Sequence, residues 1–124
     1  MVIIGPAAGG ILERVLQLPE ENRPQVWVLS ELPLAIAPPP LKLLEGIDRS
    51  GRLFVVEEHV SQGSVGQMLA HSLIARGMCP STFRHLHAEG YPSGLYGSQT
   101  FHRRENGLDA DSVLVEFNRS LSSR

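Results

Sequence analysis

Apolar residues along this chain follow two different periods. Val2-Ile3-Ile4, the run from Gln25 to Ser30 and Leu53-Phe54-Val55-Val56 are short β-favouring blocks, each of strand length. Between them apolar positions recur every three to four residues, as on one face of a helix. Ile11, Leu12, Val15 and Leu16 form the first such stripe, ended by Pro19. Leu41, Leu43, Leu44 and Ile47 form a second, led in by Pro38-Pro39-Pro40 and expected to end near Gly46. Val65, Met68, Leu69 and Leu73, with Ile74 beside them, form a third, capped by Ser61 or Ser64 and closed by Arg76-Gly77. Thr82 to His87 alternates apolar and polar, as a strand nearer an edge does. A Gly/Pro/Ser/Tyr loop is expected from Glu89 to Ser98, and Gly107 to Ser112 lead into a last helix with Val113, Leu114 and Phe117.

The order is β-α-β-α-β-α-β-loop-α. Apolar strands joined through helices pair in parallel, because a parallel crossover needs an intervening element. Right-handed crossovers leave few topologies. The expectation is an α/β fold of three layers, α/β/α, with a mainly parallel sheet in the order 2-1-3-4.

Size and charge narrow the classes. The chain has 124 residues, enough for a single domain over 1–124 with one core. With 42% hydrophobic and 19% charged residues it is neither disordered nor a coiled coil. A formal net charge of −2 supplies no field to gather nucleic acid or an anionic membrane. No apolar run approaches the ~20 residues of a membrane span, and the amino terminus lacks a basic secretory n-region. Cys79 is the one cysteine, so no internal disulfide forms, and a cytoplasmic location is the expectation. The first strand starts at the second residue; either Met1 is a true start or the chain is a section of something longer.

Chemistry concentrates at Glu57-Glu58-His59, where the most apolar strand is expected to stop, and at the turn carrying Gly63 and Gly66 into the next helix. In open α/β sheets ligands collect at the carboxyl ends of strands. Successive strand residues point to opposite faces, so Glu57 and Glu58 share a cleft only if the strand has ended. With no nucleophile or metal partner nearby in sequence, the triplet is expected to act structurally or at an interface. The helix start at Gly63–Gly66 suits an anion in the generic way of helix starts. Gly5-Pro6-Ala7-Ala8-Gly9-Gly10 fits a relaxed G-x-A-x-x-G, with Glu31 near the end of the second strand, which keeps a stand-alone dinucleotide-binding module as an alternative. His85 and His87 share a strand face, expected to be solvent-facing, and lack a third ligand for a metal.

Three segments together resemble the carboxy-terminal domain of the transketolase family, which includes transketolase, 1-deoxyxylulose-5-phosphate synthase and the beta subunits of 2-oxo-acid dehydrogenases. They are Leu53 to His59 with Gly63 and Gly66, then Pro38 to Leu44, and finally Tyr96-Gly97-Ser98 leading to Gly107-Leu108-Asp109. The resemblance spans nearly the whole chain in order. It departs in lacking the extra antiparallel edge strand before Val2 and in a shorter first helical region. The Gly-Asp-Gly signature for thiamine diphosphate is absent. The resemblance therefore implies a supporting domain of a homodimeric, ketol-transferring enzyme. Thiamine diphosphate and magnesium would be held by the enzyme's remaining domains or subunits, and no catalytic, cofactor-binding or metal-ligating residue would lie on this chain. Glu57, Glu58, His59, Gly63 and Gly66 would be the interface and strand-end residues. A 2-oxo-acid dehydrogenase beta-subunit interaction domain, docking an acyltransferase, is a further alternative.

Overall fold

The computed structural model describes residues 1–32 and 34–122. Its elements are β1 (Val2–Ile4), α1 (Ala8–Leu16), β2 (Trp27–Leu29), α2 (Leu41–Ser50), β3 (Arg52–Val60), α3 (Val65–Ala75), β4 (Thr82–Ala88), α4 (Gln99–Glu105) and α5 (Ala110–Ser122). The four strands form one parallel sheet in the order β2-β1-β3-β4, flanked by helices.

The period-two alternation of the strands sorts the core into two layers. Ile3, Phe54 and Val56 face α1 and α5, packing on Ile11, Val15, Val113, Leu114 and Phe117. Phe54 meets Phe117 edge-to-face, with centroids 5.5 Å apart. Val2, Leu53 and Val55 face the other way, onto Leu43, Leu44 and Ile47 of α2 and Leu69 and Leu73 of α3. Central strands covered on both faces read as continuous apolar runs, and this one sheet layer serves both cores.

Several boundaries differ from the pattern reading. β3 does not stop at Glu57 but runs on to Val60. Ile4 of β1 pairs with Glu57, and β4 stays alongside as far as Val60 opposite Ala88, through a shift of register after Val56. Pairing with β1 reaches Glu57, and β4 alone accompanies the strand past it to Val60. α2 passes through Gly46 and ends at Ser50, because its stop is Gly51, which adopts φ 64° and donates its N–H to the Ile47 carbonyl at 2.8 Å. In α3 the buried stripe is Leu69 and Leu73, while Met68 and Ile74 lie on the exposed side. The short helix α4 fills the stretch between the expected 89–98 loop and the lead-in at Gly107, where no element is expected.

Candidate functional site

Glu57 is the most deeply enclosed charged residue of the sheet, with 1% of its surface exposed. It lies on the α3 face of β3. Its Oε2 accepts the Val65 N–H at 3.2 Å, and its Oε1 accepts the Gly66 N–H at 2.9 Å. Ser64, the N-cap of α3, accepts the Gln67 N–H at 3.1 Å. The first orphan N–H groups of α3 are thus met from inside the domain. The anion that this helix start favours is the chain's own carboxylate. His85 of β4 completes the cluster with Nε2 at 2.5 Å from Glu57 Oε1. A carboxylate only accepts, so Nε2 of His85 carries a proton and donates. His85 is therefore not solvent-facing as expected: it is mostly covered and serves as the bolt between the edge strand and the α3 start. His87 lies beside it, with ring centroids 4.9 Å apart and planes tilted by 59°, on the same face as the alternation requires.

Glu58 points to the opposite face of β3. Arg103 of α4 grips it with two hydrogen bonds, Nε to Oε1 at 2.6 Å and Nη2 to Oε2 at 3.1 Å, and Gln99 adds a longer contact at 3.4 Å. The hydrogen bond to Glu58 raises the Arg103 pKa above its ordinary value, against a smaller effect of burial. The strand order reverses between β1 and β3, so the crevice at their carboxyl ends is the topological switch point. Gly5 lies there with φ 95°, and a Cβ on it would come within 4.0 Å of Glu58 Oε2. On the other side of Glu58 opens a cavity of about 330 Å³, lined among others by His59, Tyr91, Gln99, His102 and Arg103.

His59 is exposed, and its Nδ1 lies 2.8 Å from the Val60 carbonyl. Gly63 turns the chain with φ 71° and donates its N–H to Gln67 Oε1 at 2.9 Å. The structure thus separates the triplet: Glu57 to one face, Glu58 to the other, His59 to the surface. Gly66 belongs with Glu57 and Gly63 with the turn. Glu31 is exposed beyond β2, and Gly9 and Gly10 have open space where side chains would be, so no close approach demands glycine at either. Cys79 is exposed. Among the described residues no group of three His, Cys, Asp or Glu side chains is placed to hold a metal ion. No helix of the described residues is long and apolar enough to cross a membrane. A larger cavity, about 690 Å³, lies at the opposite end of the sheet among Met1, Trp27, Gly46, Arg49, Arg52 and Thr82. It faces the amino ends of the strands, away from where parallel sheets assemble their sites, so the carboxyl-end crevice is the candidate site.

Sequence reasoning missed α4 and with it Gln99, His102, Glu105 and Asn106. Local signals for it exist: Ser98 caps it by accepting the Phe101 N–H at 3.2 Å, His102, Arg103 and Arg104 fill its last turn, and Gly107 follows with φ 66°. The pairing of His85 with Glu57 has no such local signal. The fold and crevice define an α/β/α domain with a parallel sheet. Compared with protein-family models, with curated proteins and with solved structures, the chain matches none.

Proposed function

We propose that this chain is the carboxy-terminal, non-catalytic assembly domain of a transketolase-like, thiamine-diphosphate-dependent enzyme. One observation carries the reading: both carboxylates at the end of the central strand are engaged within the domain. Glu57 closes the start of α3, and Glu58 binds Arg103. Groups held so tightly organise a surface rather than exchange protons with a substrate. Sheet order and the sequence resemblance support the same reading. The helix start that a diphosphate would use at α3 is already filled by Glu57, which supports a cofactor held outside this chain. Thiamine diphosphate and magnesium belong, on this reading, to the remaining domains or subunits, with which the domain assembles in a homodimer.

His59 is the member of the triplet left at the surface, and it is the place to test the reading. In the complete enzyme, His59→Ala should raise the dimer dissociation constant about tenfold, the loss expected of one partly buried charge-assisted contact. The domain itself should stay folded. Sedimentation of the full-length variant measures this. An unchanged dimer with lost activity would assign the triplet to chemistry and defeat the proposal. Calorimetric titration of the chain alone with thiamine diphosphate and magnesium is the companion measurement; micromolar affinity would equally defeat it.

A further inference from the structure

Helix α4 and its C-cap residue Asn106 hold the 89–98 loop through three side chains. Asn106 Oδ1 accepts the Glu89 N–H at 2.7 Å, Glu105 Oε1 accepts the Ser93 N–H at 2.9 Å, and His102 Nε2 accepts the Gly97 N–H at 3.2 Å. Residues 102, 105 and 106 fall three and four apart, so all three reach one side of the helix. The loop they hold displays Tyr91, Leu95 and Tyr96, which are 62%, 60% and 91% exposed. Tyr91 also sets its ring edge-on to His102, with centroids 5.3 Å apart.

The third bond differs chemically from the other two. An amide oxygen and a carboxylate accept a hydrogen bond throughout the neutral range. A backbone N–H only donates, so Nε2 of His102 accepts from Gly97 only while it carries a lone pair. The bond therefore requires a neutral ring with its proton on Nδ1. That Nδ1 is buried 3.7 Å from Glu105 Oε2, and neither atom has a hydrogen-bond partner. Adding a proton puts Nε2–H against the Gly97 N–H, donor facing donor. It also creates a positive charge beside the Glu105 carboxylate. The other charged or titratable groups around the ring are Tyr91 from the loop, Arg103 on α4, and Glu58 and His59 from β3, which line the same cavity. Glu58 and Arg103 neutralise one another.

We propose that His102 is a pH-dependent latch on the 89–98 loop: the neutral ring holds Gly97, and the imidazolium lets it go and pairs with Glu105. The latch sets whether Leu95 and Tyr96 are presented in one fixed position. It stands on the geometry of α4 and the loop it holds, and it holds whether or not the domain serves a thiamine diphosphate enzyme.

NMR of the uniformly ¹⁵N-labelled chain tests this. At pH ~8 the His102 ring should show the Nδ1–H tautomer. Between pH ~8 and ~5, the range in which imidazoles change charge, protection of the Gly97 amide, corrected for intrinsic exchange, should fall about tenfold, the loss of one hydrogen bond. Ser93 and Glu89 should keep theirs. His102→Gln, whose amide oxygen accepts but does not titrate, should retain Gly97 protection and lose its pH dependence. A neutral ring protonated at Nε2, a flat Gly97 profile in the unmodified chain, or loss at Gly97 in step with the Val55 amide of the core would each overturn the latch.

Discussion

The Gly66 amide lies 2.9 Å from Glu57 Oε1, and a Cβ on residue 66 would stand 2.8 Å from that same oxygen. It would also stand 2.5 Å from His85 Nε2. The helix start, the buried carboxylate and the edge-strand imidazole therefore meet at one point that admits no methyl group.

Gly66→Ala tests that crowding. In an open helix the exchange would stabilise by about 1 kcal/mol. Here the methyl must displace two hydrogen-bonded groups enclosed in the core, and overpacking of this kind costs roughly 1–3 kcal/mol. The expected outcome is a lower urea midpoint with an unchanged slope. A raised midpoint would mean that the cluster yields easily and does not fix the α3 start.

Glu57→Gln keeps the shape of the side chain but removes its charge, and it places an NH₂ group where one oxygen accepts now. Hydrogen bonds to a charged partner contribute roughly 1.5–3 kcal/mol, so a loss of about 2–3 kcal/mol is expected. Combining it with His85→Ala should show a coupling of roughly 0.5–3 kcal/mol, as residues in one network do. Denaturant unfolding of the four proteins of this cycle provides the measurement. Strict additivity would place His85 outside the network.

Arg103→Ala should act locally. The pair with Glu58 is half-buried and two-pronged, so solvent screens part of it, and a loss of about 1 kcal/mol is the expectation. Because Arg103 ties α4 to β3, hydrogen exchange should quicken across 89–107 while the sheet amides stay protected. Uniform quickening would show that α4 is no separate unit.

Asp109 gives the fold an acid-side dependence. Burial works to raise its pKa. The hydrogen bonds from Ser112, Oγ at 2.6 Å and N–H at 3.1 Å, with the nearby Arg104 charge, outweigh burial and hold the value below the usual carboxylate range. A group depressed on folding contributes stability fully above its unfolded pKa, about 3.9, and loses it as pH falls through the lower folded value. Asp109→Ala removes this hydrogen-bonding partner at the start of α5 and should cost about 1 kcal/mol at pH 7. The difference should shrink below pH ~4. Urea midpoints at pH 7 and pH 3 compare the two; an equal gap at both would remove the charge from the account.

The periodicities of the chain determined every strand and all α-helices but α4, because a two-residue or 3.6-residue period follows directly from which face each side chain must bury; helical crossovers then implied parallel pairing and left the order 2-1-3-4 among a few topologies. Gly51 rather than Gly46 ends α2 because the stop needs a left-handed residue where the helix runs out of core, and spacing alone does not say where that is. The sequence also placed Glu57, Glu58, Gly63 and Gly66 at the carboxyl end of the central strand. Only the tertiary structure decided what they do. Glu57 meets His85 across 28 positions, and Glu58 meets Arg103 across 45. Such partners are chosen by the crossovers that lay β4 and α4 against β3. A carboxylate that looks free in the sequence is closed off by a helix start and an edge strand, because burying its charge requires donors that only the assembled fold can bring.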